Sequence, residues 1–201
     1  MKKNRCAVTI FLMAISLYSA HTLMAQSSTY TISSSKVNAM KLSGTSTLHD
    51  WEMNTGSFSG GAQFVVGDGE AQAIDALSAL TFTLPVRNLE SDKNGLDKNA
   101  YKALKANKYE NIVYKLASAK VIPDKAGNHL VKTNGNLTVA GVMREVSMDV
   151  HCYINKDASI RCSGSEKLKM TDYGVEPPTF LLGAMTTGDA ITLDFTLVFK
   201  Q

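Results

Sequence analysis

The sequence is poor in the residues that catalytic and metal centres draw on, with four histidines, three cysteines and a single tryptophan, Trp51, among 201 residues. No two histidines stand at His-x-x-x-His spacing and no Cys-x-x-Cys occurs, so the common zinc and redox signatures are missing. Serine, histidine and aspartate are all present, but not around a nucleophile elbow. The chain is therefore expected to be a non-enzyme that needs neither metal nor cofactor. An internal repeat, a low-complexity tract and a dividing linker are also lacking, which leaves a chain the size of one domain.

Long apolar runs are confined to the first 25 residues. Lys2, Lys3 and Arg5 precede a nearly uncharged stretch from Ala7 to Leu23 that ends at Leu23-Met24-Ala25, the pattern of a secretory signal peptide cleaved after Ala25. The expected organisation is a leader over 1–25 and a mature domain over 26–201, periplasmic or secreted. Gln26 stands where a lipoprotein would need cysteine, and Ser16, Ser19, His21 and Thr22 weaken the stretch as a membrane anchor. Stable membrane insertion is not expected. Loss of Lys2, Lys3 and Arg5 reduces the 21 basic residues to 18, equal to the 18 acidic ones. A formally neutral domain offers no electrostatic footprint for nucleic acid.

With Cys6 in the leader, Cys152 and Cys162 are the only mature cysteines. Val146 to Ile154 and Ser159 to Met170 read as strands around the turn Asn155-Lys156-Asp157-Ala158, which sets the two cysteines opposite each other. In an oxidising compartment a structural disulfide is expected.

From Tyr30 onward, Thr, Ser, Val, Ile and aromatic residues are interrupted every dozen or so positions by Gly, Asn, Asp or Pro, the pattern of strands and turns. Tyr30 to Leu42 reads as one or two strands, Gly44 to Met53 as the next, and Gly56 to Val66 as another, bent or bulged at Gly60 and Gly61. Leu80, Phe82, Leu84 and Val86 alternate with Thr81 and Thr83 up to Pro85 at a rim. Asp97 to Ala106 changes to helical period, with Asp97 as its cap, and is expected to lie across one barrel end, outside the wall.

Tyr109 to Ile122 and Leu130 to Val139 return to strand, and Gly141 hinges the latter to Val142 onward. Asn136-Leu137-Thr138 matches a glycosylation acceptor but falls inside a strand, where the match is coincidental. After the long turn Thr171 to Pro178, the apolar Phe180, Leu181, Leu182 and Met185 read as a loop. The last strand carries Ile191, Leu193, Phe195, Leu197 and Phe199 on one face. So many strands joined by short connections favour a closed antiparallel barrel, which leaves no exposed edge.

In Gly44 to Met53, read as one strand, His49, Trp51 and Met53 share a face. That face suits a ligand with a long apolar body and a polar end. An ordinary half-buried strand with a satisfied histidine has the same signature.

Taken in order, four segments resemble the YceI-like family of exported bacterial proteins over nearly the whole mature chain. They are His49 to Trp51 leading to Gly56-Ser57-Phe58-Ser59-Gly60; the aspartate-led helix from Asp97 followed by Tyr109; Gly135-Asn136-Leu137-Thr138-Val139-Ala140-Gly141-Val142 with Arg144 and Val146; and Asp172-Tyr173-Gly174. The resemblance implies an eight-stranded, lipocalin-like antiparallel barrel whose apolar interior holds a polyisoprenoid or another long-chain amphiphile. The chain departs from the family where Tyr109-Glu110 replaces a common Tyr-Pro, at Asp50-Trp51, and in its cysteine pair.

Alternation along the strands gives the inward set as His49, Trp51, Met53, Phe58, Phe64, Leu80, Phe82, Leu84, Ile112, Tyr114, Leu137, Val139, Val146, Met148, Leu193 and Phe195. His49 and Tyr114 are the members suited to hydrogen-bond a quinone oxygen or an alcohol. Eight strands leave an interior that is either just filled or able to hold one small molecule. The expected partner is thus an amphiphilic lipid, isoprenoid or quinone-like, for carriage or storage, with a homodimer left open. A ligand-free structural or stress-related exported protein is the alternative.

Overall fold

The computed structural model describes residues 27–67, 72–124, 127–180 and 184–201. The expected leader, Leu181 and Leu182, and part of the turn after Pro123 lie outside these residues. Eleven strands, one α-helix and two short 3-10 turns make up the rest. In chain order the strands are β1 (Ser27–Ile32), β2 (Ala39–Ser46), β3 (Trp51–Thr55), β4 (Ser59–Val66), β5 (Ile74–Pro85), β6 (Asn111–Pro123), β7 (His129–Val139), β8 (Val142–Ile154), β9 (Ile160–Lys169), β10 (Thr179–Phe180) and β11 (Met185–Lys200); helix α1 (Asn94–Ala103) lies between β5 and β6.

All pairings are antiparallel, and β1-β4-β5-β6-β7-β8-β9-β11 closes into a ring of eight through Thr31 opposite Lys200 and Ile32 opposite Phe199. β2 and β3 extend the ring. β11 pairs with β1 at its last residues and with β2 from Thr187 to Thr196, so β1 and β2 form one strand position interrupted at 33–38. β3 and β4 form the neighbouring position, interrupted at 56–58. Asn38 bridges the first break: its side-chain amide donates to the Ser33 carbonyl and its Oδ1 accepts the Val198 N–H at 2.8 Å. A buried side chain here replaces the missing ladder bonds, as a backbone excluded from water requires.

Several expectations are corrected in detail. Gly44 to Met53 is a hairpin rather than one strand, because the Ser46 hydroxyl accepts from the Leu48 and His49 amides and donates to the His49 carbonyl at 2.6 Å. Such a serine turn competes with extended backbone. The bulges expected at Gly60 and Gly61 fall instead in the facing strand, where Ser78 and Asp75 are extra to the pairing with Gln63–Phe64 and Val65–Val66. Gly60 serves close approach, since a Cβ there would sit 2.3 Å from the Thr81 carbonyl oxygen. Phe58 precedes β4 rather than belonging to it.

The helix starts at Asn94, three residues before Asp97. Asp97 lies in its first turn, accepting from the Ser91 amide at 2.8 Å and hydroxyl at 2.7 Å. Its end is a Schellman closure: the Ala106 amide reaches the Tyr101 carbonyl and the Lys105 amide the Lys102 carbonyl, with Lys105 left-handed at φ 53°.

The hairpin from β7 to β8 turns through Ala140 and Gly141, both with positive φ, as a two-residue type I′ connection requires. β8 and β9 pair only from Val150 to Ile154 and from Ile160 to Gly164. Above that level they part, and the turn Thr171–Tyr173 fills the gap with buried Tyr173 and Val175.

Candidate functional site: the barrel interior

The lower end of the barrel is sealed. Phe64 makes edge-to-face contacts with Tyr30 and Phe199, at centroid separations of 5.4 and 5.6 Å, and Ile160 and Val131 are fully buried beside them. Cys152 and Cys162, directly opposed in β8 and β9 with their α-carbons 4.1 Å apart, are disulfide-bonded as expected and face inward. His129, paired with Cys152 across β7 and β8, accepts the Ile74 N–H on Nε2 at 3.0 Å.

Above this base lies a cavity of about 150 Å³, walled by side chains from β2 and β4–β9, from β11, and from Leu89 and Leu104 beside the helix. A second cavity of about 90 Å³ lies under α1, between Leu96, Ala100, Ala103, Trp51, Met53, Met170, Tyr173, Val175 and Pro178. Leu42, Leu104, Val139, Leu168 and Ile191 wall both. The two spaces adjoin, with these five aliphatic side chains between them. Neither wall contains a charged residue.

Of the inward set, Phe64, Leu80, Phe82, Leu84, Ile112, Tyr114, Leu137, Val139, Met148, Leu193 and Phe195 line the larger cavity, and Trp51, Met53 and again Val139 the smaller one. Three are elsewhere. His49 is exposed in the β2–β3 turn, with Nε2 3.2 Å from Lys93 Nζ at the start of α1. Phe58 packs on Phe82 at 5.3 Å without reaching the cavity wall. Val146 is buried in the core but is not a wall residue.

Wall residues absent from the expected set include Leu77, Thr133, Val150, Leu197, Phe199 and both cysteines. Leu197 and Phe199 simply continue the face of Leu193 and Phe195 and could have been read by following it to the base. Leu77 could not, because the bulge at Ser78 switches the inward parity of β5.

Aromatic side chains pack closely against glycines of the wall at three places. A Cβ on Gly44, Gly135 or Gly164 would stand within 3 Å of the rings of Trp51, Tyr114 or Phe195. Glycine relieves the strongly curved wall at these points, and the ring covers the exposed backbone. The Trp51 indole N–H donates to the Thr45 carbonyl at 3.1 Å. His129 Nδ1 is a buried side-chain polar atom without a hydrogen-bond partner among the described residues, and Tyr114 Oη has the Thr133 hydroxyl beside it. Burial pushes the Tyr114 phenol above its ordinary pKa, an effect partly opposed by the Thr133 hydroxyl. That hydroxyl donates to the Met148 carbonyl at 3.2 Å and keeps its lone pairs to accept from the phenol.

Comparison with solved structures places this architecture among known barrels. A polyisoprenoid binding domain from Saccharophagus degradans, implicated in plant cell wall breakdown, aligns with a TM-score of 0.63 at 12% identity, over 85% of this chain and 97% of its own. BcnA of Burkholderia cenocepacia aligns at 0.56 and 17% identity, over 79% and 95% of the two chains. The Campylobacter jejuni YCEI protein aligns at 0.50 and 20% identity, over 70% and 81%. No curated protein matches the sequence. Residues 22–199 match the YceI-like domain. A closed eight-stranded ring with one helix across its mouth, matched over nearly its whole length, makes the chain a member of the YceI-like domain family.

Proposed function

We propose that this protein binds a single long-chain amphiphile of the polyisoprenoid class along the axis of its barrel and carries or stores it outside the cytoplasm. The observation that carries this reading is the pair of adjoining cavities, which is walled almost wholly by aliphatic and aromatic side chains, sealed at the base and covered at the other end by α1 and the segment from Met170 to Pro178. Apolar burial is worth about 0.8 kcal/mol per CH₂, so ten enclosed carbons contribute roughly 8 kcal/mol before ordering costs. No catalytic group is needed. The structural likeness to a polyisoprenoid binding domain supports the ligand class. The leader pattern and the disulfide support export.

Trp51, on the wall of the cavity under α1, is the natural reporter. Titration with geranylgeraniol is expected to change its fluorescence and saturate at one equivalent. Leu84, 2% exposed on the wall of the larger cavity, is the position at which to narrow that space. Calorimetric affinity for the same alcohol should fall at least tenfold in Leu84→Trp while the variant stays folded. Unchanged affinity in the folded variant contradicts the reading.

A further inference from the structure

Residues 26–201 are formally neutral, but their charge is not evenly spread. Between Lys93 and Lys108 the chain carries five lysines and one aspartate, a formal +4 that the remainder of the domain balances with −4. That segment is α1 with its two flanks. Leu96, Ala100, Ala103 and Leu104 turn to the cavity beneath the helix. Lys98 and Lys102 fall on the opposite side, one turn apart, and Lys105 follows at the left-handed closing residue; all three are exposed. None of them takes part in an ion pair among the described residues. Asp97, the one acid of the segment, is engaged by the Ser91 amide and hydroxyl. Exposed Asp50, Asp92 and Glu110, with Asp172 and Glu176 on the neighbouring part of the mouth, bound this basic strip.

Two of the three large hydrophobic side chains exposed among the described residues stand at its ends. Leu48, 67% exposed, lies in the β2–β3 turn, where the next residue, His49, has Nε2 3.2 Å from Lys93 Nζ. Met143, 59% exposed, follows the Ala140-Gly141 turn, which packs on the Tyr109 ring, and Lys108 Nζ is 5.1 Å from the centroid of that ring. The mouth thus presents a lysine-bearing helix with a bare aliphatic side chain at either end. The arrangement costs the fold rather than serving it. Like charges one turn apart destabilise a helix, and neither Leu48 nor Met143 packs against the core.

We propose that the helix side of the mouth docks reversibly on an anionic phospholipid surface, with the five lysines over the phosphates and Leu48 and Met143 entering the head-group layer. A protein partner fits this face less well. Protein interfaces are depleted of lysine and centre on a desolvated core, and pairing with fixed carboxylates favours arginine. Every cation of the strip is a lysine, and its two apolar side chains stand apart. A fluid layer of negative charge demands no fixed geometry, and each lysine brought close to it adds to the attraction. Isolated aliphatic side chains gain by entering the same interface. The inference stands apart from the carriage reading; where both hold, docking sets the barrel mouth against the layer from which an amphiphile leaves.

The test is co-sedimentation of the exported protein, freed of its leader, with vesicles of phosphatidylglycerol and phosphatidylcholine in equal parts and with vesicles of phosphatidylcholine alone, at low salt. The wild type is expected to sediment with the first and not with the second. Lys98→Gln/Lys102→Gln/Lys105→Gln should lower the partition coefficient about tenfold or more. Lys36→Gln/Lys120→Gln/Lys156→Gln removes the same charge from exposed positions away from the mouth and should change it by less than about twofold. Leu48→Ser/Met143→Ser should lower it about threefold or more. Thermal unfolding followed by circular dichroism verifies that each variant is folded; all eight positions are exposed.

No sedimentation with the anionic vesicles, equal sedimentation with the neutral ones, or equal losses in the two lysine variants overturns the inference. So does an unchanged partition coefficient in the folded Leu48→Ser/Met143→Ser variant. Binding to soluble polyaspartate without binding to vesicles overturns it in favour of an acidic protein partner. Each of these results leaves the geranylgeraniol titration untouched, so carriage stands or falls separately.

Discussion

At the base of the barrel Phe64, Phe199, Ile160 and Val131 are no more than 1% exposed, whereas the helix across the opposite end has no fully buried residue. The base is closed by a continuous β8–β9 hairpin, a disulfide and interlocked aromatic rings. The mouth is closed by partly buried side chains that border the cavities. There β8 and β9 separate, and α1 is held in part through exposed or partly buried polar contacts. These include the Tyr101 hydroxyl on the Leu89 carbonyl at 2.7 Å and Asp97 on Ser91. On the proposed carriage reading, one end sets stability and the other admits ligand, because low local stability is where opening motions arise.

Deleting a side chain at each end gives the sharpest contrast. Phe64→Ala should cost about 3–5 kcal/mol in urea unfolding, the range for a fully enclosed aromatic residue. Leu104→Ala, at a half-buried position that already borders both cavities, should cost only about 1 kcal/mol. It should also speed release of bound geranylgeraniol by thinning the layer of side chains between the cavities. Similar costs at the two ends would remove the distinction between them.

Opening the Cys152–Cys162 disulfide isolates the base. The bridge spans 10 residues, for which the loop-entropy estimate is about 2.5–3 kcal/mol. Urea unfolding with and without reductant should show a loss of that size. Ligand affinity should change less than it does in Leu84→Trp, since the cysteines form the floor of the larger cavity.

The smallest effect is that of pH, and it is shared by both ends. In the base turn Asp157 accepts from the Ser159 hydroxyl at 2.6 Å and from its amide, and pairs with Lys200. At the mouth Asp189 accepts from the Thr171 amide at 2.9 Å and hydroxyl at 2.8 Å. These bonds favour the carboxylates and hold both groups below the ordinary aspartate value of 3.8. A depressed folded-state pKa stabilises above the unfolded-state value, and that stabilisation is lost as pH falls through the folded-state value. Stability should thus be flat from neutrality to about pH 5 and then decline. Asp157→Asn and Asp189→Asn should each flatten part of that decline in pH-dependent urea midpoints.

The ring, the disulfide and the regular stretches of the wall were legible in the sequence because an inward face repeats every second residue until something interrupts it. Leu193 and Phe195, Ile112 and Tyr114, and Leu80, Phe82 and Leu84 all obey that rule. It fails wherever the backbone adds a residue or turns. The extra Ala117 in β6 shifts the phase after Leu116, as Ser78 does in β5. Ser46 breaks the supposed single strand and leaves His49 in solvent, even though the polar run from Ser46 to Asp50 carries a turn signal. Leu104 and Leu89 reach the interior from a helix end and a 3-10 turn, and strand periodicity contains no trace of that. The layer of side chains shared by the two cavities is a tertiary property of residues from four strands and the helix terminus.

Backbone hydrogen exchange, measured on the oxidised protein with and without geranylgeraniol, tests the division between sealed base and opening mouth most directly. Without ligand, amides of Asn94–Ala103 should exchange orders of magnitude faster than those of Val150–Ile154 and Ile160–Gly164. Saturation with the alcohol should slow the helix strongly and leave the base strands nearly unchanged. Equal protection at the two ends of the empty barrel, or ligand-induced protection confined to the base, would contradict the account.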